Sequence, residues 1–263
     1  RGRGEFCKIA CQGTDAVNIE DAAIVITGGA SGIGLAMALG LREAGARVWA
    51  IDRDAAALEV APRSERLTFL CCDVGREAEV GDAVAAIDAE SDGIDVLVNC
   101  AAVLRDQALV SRLKGQVRRH STEDWSETLA SNLTGTFLTA REVAASMLRR
   151  KRGGVIVNVS SISRHGNPGQ TAYAATKAGI DAMTVTWARE LAPYKIRVVA
   201  IAPGFVRTPM TDRIPPLFLE RIREQTPLQR FGRPEEFAHA VKFVIENDYL
   251  NGTVLDLNGG LRF

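Results

Sequence analysis

Tyr173 and Lys177 stand four residues apart in YAATK, at the start of an apolar-striped stretch that reads as a helix. Residues at that spacing share one helix face. An ammonium beside a phenol favours the phenolate, so the pair can act as a general acid/base where a free tyrosine, titrating near pH ~10, cannot. The spacing alone equally suits an ordinary surface pair, and its company decides. Upstream, TGGASGIG (27–34) joins an apolar run to a second helical stretch. Gly28, Gly32 and Gly34 permit a tight turn and close approach of backbone N–H groups to a diphosphate, and Ser31 and Ile33 stand where the helix begins and its dipole favours an anion. The spacing is GxxxGxG rather than GxGxxG, so the turn counts only in the context of a first strand, a first helix and a later acid. That acid is Asp52, about 20 residues on, at the end of the second apolar run. Its carboxylate suits both adenosine ribose hydroxyls and repels a 2′-phosphate, which favours NAD. Arg53 beside it could pair a 2′-phosphate, which keeps NADP open as the alternative.

The elements that must position these groups follow a regular rhythm. Short apolar runs at 22–28, 46–52, 67–73, 95–99, 154–160, 196–203 and 252–257 are continuous rather than alternating, as strands buried on both faces of a parallel sheet are. Candidate helices lie near 33–44, 76–90, 122–150, 171–192 and 234–246. The pattern predicts an α/β protein: a single-domain, doubly wound, Rossmann-type parallel sheet of seven strands with helices on both faces. Residues 19–263 form that domain, and 1–18 read as a poorly ordered arm or added residues. Two segments break the rhythm, an insertion at 103–121 with a hairpin turn expected at Lys114-Gly115, and a proline-rich flap at 204–230. Both follow carboxyl ends of strands, where open α/β sheets bind ligands.

The chain has 263 residues, with 32 acidic and 32 basic side chains, so it lacks the broad positive field of a nucleic-acid binder. No apolar run approaches the roughly 20 residues of a membrane span. The five cysteines (7, 11, 71, 72 and 100) form no CxxC pair, which argues against a disulfide framework or a metal site and for a reducing, cytoplasmic setting. Arg149-Arg150-Lys151-Arg152 reads as a helix C-terminus complementing its dipole, and the lone His165 as a surface or packing residue.

TGGASGIG, the strand end Asn99-Cys100-Ala101-Ala102, Asn132 in SNLTGTF, Ser160 in VNVSS, YAATK, and Pro203-Gly204 in IAPGFVRTPM stand in the order seen in short-chain dehydrogenase/reductases. The chain resembles that family from about residue 20 onward. The resemblance implies that Tyr173 exchanges a proton with the substrate oxygen, that Ser160 holds that oxygen, that Lys177 binds the nicotinamide ribose, and that Asn132 holds a water linking Lys177 to solvent. It places Asp73 and Val74 at the adenine, Asn99 and Ala101 beside the adenosine half, and Pro203, Gly204, Val206 and Thr208 toward the carboxamide. Ser161 and Ser163 compete with Ser160; the thirteen-residue spacing to Tyr173 favours Ser160. Ala102 departs from the family's usual glycine and adds a methyl near the cofactor.

On the substrate side the candidates are Ser160, Ile162, Gln170, Phe205, Met210 and Phe218, with Ile214, Leu217 and Leu219 completing an apolar flap that could exclude water. The insertion carries Arg105, Arg112, Lys114, Arg118, Arg119 and His120. Its length and the C-terminal segment resemble short-chain type 3-hydroxyacyl-CoA dehydrogenases, and GNPGQTAYAATKAGI resembles β-ketoacyl carrier-protein reductases. Three readings stand: an NAD-dependent dehydrogenase of a secondary alcohol or 3-hydroxyacyl thioester, an NADPH-dependent 3-oxoacyl carrier-protein or small-ketone reductase, and a non-catalytic dinucleotide-binding protein. The resemblance also implies a homotetramer or homodimer, with 122–150, 171–192 and the C-terminal segment at the interfaces.

Overall fold

The computed structural model describes residues 17–262, so positions 1–16 of the segment 1–18 expected to form an arm, Cys7 and Cys11 among them, lie outside the described residues. Strands β1 (Ala23–Thr27), β2 (Arg47–Asp52), β3 (Leu67–Cys71) and β4 (Val96–Asn99) are followed by a separate hairpin, β5 (Val110–Leu113) and β6 (Gln116–Arg119). β7 (Gly154–Val159), β8 (Ile196–Pro203) and β9 (Val254–Leu257) complete a seven-stranded sheet of order β3-β2-β1-β4-β7-β8-β9, parallel at every pairing. The order reverses between β1 and β4, which opens the crevice at their carboxyl ends.

The continuous apolar runs have a plain cause. In β1, Ile24 and Ile26 face one core while Ala23 and Val25 face the other, and all four are fully buried. The first core receives α1 (Gly32–Glu43) and α8 (Pro234–Glu246) through Met37, Leu41, Phe237 and Val241. Gly40 lets these helices touch, since a Cβ there would lie 2.8 Å from that of Ala238. The second core receives α3 (Glu77–Ser91), α5 (Gly135–Arg149) and α6 (Thr171–Leu191) through Val84, Val143, Met147 and Ala188.

The long helix expected over 122–150 is interrupted. A short α4 (Thr122–Thr128) runs into a wide π-type turn, Leu129–Thr134, before α5 begins. Two helices escape the periodicity. α2 (Ala55–Val60) is too short to show it, although Asp54 caps it by accepting from Ala57 N at 3.1 Å. α7 (Pro216–Gln225) lies within the flap, where the prolines start a helix instead of breaking one. The hairpin turns at Lys114-Gly115 with φ of 49° and 82°, the left-handed pair of a two-residue type I′ connection. No helix among the described residues is long and apolar enough to cross a membrane.

Candidate active site

The glycine-rich turn is built against the end of β4. Gly28 has φ +66°, and a Cβ there would fall 2.8 Å from the Ala101 Cα, so only glycine allows the two loops to meet. The Thr27 hydroxyl, buried beneath them, accepts from both Cys100 N and Ala101 N at 3.1 Å. Thr27 is a positioning residue that the motif contains but that spacing does not single out. Ser31 begins α1 in an extended conformation, and its side chain does not cap the helix. The first-turn N–H groups are thereby left to an anion rather than to the hydroxyl. Asp52 holds the turn's other side, Oδ2 accepting from Ala30 N and Oδ1 from Asp54 N, each at 3.1 Å.

Across the crevice, the methyl of Thr208 lies 3.5 Å from where a Gly32 Cβ would sit. The Thr211 hydroxyl donates to Val206 O at 2.8 Å and accepts from Thr208 N at 2.9 Å, which fixes the 206–211 turn. Gly204 packs its α-carbon against Asn258, where a Cβ would fall 2.8 Å from backbone, and Pro203 ends β8 fully buried. Asp73 accepts from Gly75 N at 3.0 Å, and Val74 packs against Gly135. The uncapped first turn of α1, the glycine surfaces and the Asp52 carboxylate fit a dinucleotide.

Asn99 is 4 % exposed and belongs to a buried chain of side chains. It accepts from Thr139 at 2.6 Å and donates to Asn158 at 3.0 Å; Asn158 in turn donates to Thr184 at 2.9 Å. Asn132, fully buried in the wide turn, accepts from Val103 N at 2.7 Å and donates to Val103 O at 3.0 Å. Its amide thus pins the segment leaving β4.

Tyr173 and Lys177 lie one turn apart on α6, with Nζ 5.4 Å from the centre of the phenol ring. The lysine is 2 % exposed and donates to Val159 O at 2.7 Å. Burial holds its ammonium down at about 8 and pushes the phenol up to about 12. Desolvation of the anionic form sets the direction for the phenol, against a lowering by the Ser161 hydroxyl.

The serines are placed otherwise than the spacing suggests. Ser160 is 1 % exposed and donates to the Lys177 carbonyl at 3.3 Å, on the side of Asp181. The hydroxyl that faces the Tyr173 phenol is that of Ser161, which accepts from Ser163 N at 3.1 Å. The cause is strand alternation: Asn158 and Ser160 both meet the body of α6, and the next side chain turns the other way.

Of the substrate-side residues, Ile162 is 3 % exposed and packs inward. The Gln170 amide is engaged by Ser163 (2.8 Å), Asn167 (2.9 Å) and Asp106 (2.9 Å), so it braces the wall instead of standing free for a ligand. Met210 and Phe218 are exposed on the flap, and Phe205 packs against Phe231 with ring centres 6.5 Å apart. Phe205 also lines a cavity of ≈ 500 Å³ with Leu228, Phe237 and Leu257, and Tyr173 is not among its walls. His165 is exposed, and Arg150 pairs with Asp88 on α3 and with Asp92 just past its end, so both serve the surface. The thiols of Cys72 and Cys100 are pushed up to about 11 by burial, which makes them poor nucleophiles.

Comparison with known proteins agrees with this geometry. A family model described as enoyl-(acyl carrier protein) reductase matches residues 28–262. The 3-oxoacyl-[acyl-carrier-protein] reductase FabG of Thermotoga maritima is 40% identical over 253 residues, covering 93% of this chain and 99% of that relative. The human 3-hydroxyacyl-CoA dehydrogenase type-2 is 39% identical over 247 residues (90% and 94%). The human (3R)-3-hydroxyacyl-CoA dehydrogenase is 35% identical over 266 residues, covering 92% of this chain and 96% of that relative.

Proposed function

Because this chain belongs to the short-chain dehydrogenase/reductase family of oxidoreductases, we propose that it interconverts a 3-hydroxyacyl and a 3-oxoacyl thioester with NAD(H). The observation that carries this reading is the convergence of Ser161, Tyr173 and Lys177 at the carboxyl end of β7, beside the glycine-rich turn.

The bound nicotinamide supplies the hydride in reduction and accepts it in oxidation. Gly28, Ser31, Gly32, Ile33 and Gly34 would hold the diphosphate, Asp52 the adenosine ribose, and Asp73 and Val74 the adenine. Asn99 and Ala101 would border the adenosine half, and Pro203, Gly204, Val206 and Thr208 the carboxamide. Ser161, in place of Ser160, donates a hydrogen bond to the substrate oxygen and stabilises its developing charge. Tyr173 gives its phenolic proton to that oxygen as the carbonyl carbon is reduced, and takes it back in oxidation. Lys177 binds the ribose through its ammonium and faces the phenol with positive charge. Asn132 keeps Val103, and with it the crevice wall, in place.

NAD is favoured over NADP by Asp52, whose carboxylate would repel a 2′-phosphate. The thioester class is supported by the relatives' printed activities and by the exposed arginines of the hairpin, Arg112, Arg118 and Arg119, which suit pantetheine or nucleotide phosphates. We place the enzyme as a homotetramer or homodimer in a reducing, cytoplasmic compartment; exposed Phe137, Phe243 and Tyr249 support self-association. Light scattering on a sizing column reads that state.

The test is NADH consumption across 3-oxoacyl-CoA, truncated 3-oxoacyl thioesters, ketosteroids and simple ketones. Thioesters should give the highest kcat/KM, and Tyr173→Phe should keep NADH binding while losing turnover. Charge reversal of Arg118 and Arg119 should raise KM for acyl-CoA alone; an equal rise for the truncated thioester removes the hairpin from the substrate site.

A further inference from the structure

We infer that Glu127 sets the dinucleotide preference of this enzyme by holding the Arg53 guanidinium away from a 2′-phosphate. The inference rests on the dinucleotide site proposed above and concerns a residue outside its motifs. Arg53 follows Asp52 at the carboxyl end of β2, where an unengaged guanidinium could bind a phosphate bidentately. It is engaged instead: Nη2 lies 2.9 Å from Glu127 Oε1, and Nη1 lies 3.7 Å from Asp73 Oδ2.

Glu127 reaches Arg53 from α4, on the opposite side of the crevice. The same carboxylate accepts from Arg105 Nε at 2.8 Å and Nη2 at 3.0 Å, and Arg105 also lies 3.9 Å from Asp124. Arg76 approaches Asp73 at 4.0 Å and pairs with Glu79 at 3.3 Å. Among the described residues, Arg53, Arg76 and Arg105 are thus each matched by carboxylates, and Asp52 adds a further negative charge. A 2′-phosphate would meet acids and guanidinium groups already engaged, while a ribose hydroxyl would meet a carboxylate ready to accept from it.

The Arg53–Glu127 pair is exposed enough (40% and 34% for the two side chains) for solvent to weaken it as a source of stability. Removing Glu127 should consequently alter selectivity without unfolding the chain. Glu127→Gln removes the charge at nearly constant shape, and Glu127→Ala guards against residual hydrogen bonding by the amide.

Nicotinamide fluorescence titration of the full chain gives Kd for NADPH and NADH without turnover. Glu127→Gln should tighten NADPH by about five- to tenfold, as a released guanidinium pairing with a phosphate would, and change NADH by less than about twofold. Adding Arg53→Ala to Glu127→Gln should abolish most of that gain, which separates a freed guanidinium from the mere loss of one negative charge. Glu123→Gln, an exposed acid on the same helix, should leave the ratio unchanged. An NADPH/NADH ratio that stays at the wild-type value in both Glu127 variants overturns the inference, as does a gain that survives Arg53→Ala. A wild type that binds NADPH more tightly than NADH defeats the NAD assignment itself, and the shift on Glu127→Gln still decides whether Glu127 governs Arg53.

Discussion

Arg164 places its Nε 2.8 Å from the Asp181 carboxylate on α6, and its Nη2 2.8 Å from Asp256 on β9. A third contact runs from Nη1 to the Ser161 carbonyl at 3.2 Å. With its side chain only 8% exposed, the arginine ties the serine-bearing turn to two separate elements. Arg164→Met should destabilise the fold by about 1–3 kcal/mol, because the partly buried Asp181 carboxylate loses its partner while the exposed Asp256 is left to solvent. Among molecules that remain folded, kcat should fall while the Kd for NADH holds. Urea unfolding and active-site-normalised kinetics read the two effects separately.

Ser161 and Ser160 are distinguished by one pair of variants. Ser161→Ala removes the hydroxyl at the phenol and should lower kcat by about 10²–10³, the range for losing one donor to a developing oxyanion. Ser160→Ala removes a bond to the Lys177 carbonyl and should change kcat by less than about fivefold, with a loss of stability near 1 kcal/mol. The reverse ranking in NADH-coupled assays would return the role to Ser160.

The titration of the pair gives opposite pH slopes for the two directions. With the phenol at about 12, Tyr173 carries its proton throughout the working range and can always donate it in reduction. Lys177, at about 8, is charged below that pH and loses its proton above it. Reduction should therefore fall as pH rises past about 8, while oxidation, which needs the phenolate, should keep climbing with pH toward about 12. Lys177→Arg stays charged and should move the falling limb of reduction upward wherever enough activity remains to follow it. A limb that does not move assigns it to another group.

Arg197 offers a test of the scaffold alone. It is 6% exposed and donates to the carbonyls of Val244 (2.9 Å), Leu250 (3.0 Å) and Ile245 (2.7 Å), closing the C-terminal end of α8. Arg197→Met should cost about 2–4 kcal/mol by leaving buried carbonyls unpaired, and lower Tm by roughly 5–10 °C. Calorimetry should show the loss while kcat stays within about twofold of wild type.

Much of this was legible in the amino-acid order because it is periodic or conformationally forced. Continuous apolar runs mark strands sandwiched between two cores, as Ile24 and Val25 illustrate. Lys114-Gly115 marks its turn because a two-residue connection needs positive φ at both positions. Gly28 was visible as a tight turn, though not the Ala101 backbone that makes glycine necessary there. The choice between Ser160 and Ser161 was not legible. Counting back from Tyr173 assumes a loop of standard length, while the compact turn at Ile162–His165 alters how many residues separate the serine from the phenol. The Glu127–Arg53 contact spans 74 positions in the chain, a distance at which no local pattern records a partner. The direction of the Tyr173 shift also escaped, because neighbours can be read from spacing and desolvation cannot.

The wide turn at Leu129–Thr134 carries a constraint on how the chain can vary. A π-type turn accommodates one residue more than a regular helical turn, so excising a residue there would let α4 run straight into α5. Everything downstream would then rotate by about 100° about the helix axis, and the surface that Val143 and Met147 present to the second core would swing off it. Asn132 can grip Val103 while α5 keeps its buried stripe inward only because that surplus residue offsets the phase. Length changes between 129 and 134 should thus be tolerated far less than changes in the hairpin at 110–119, whose residues face outward throughout.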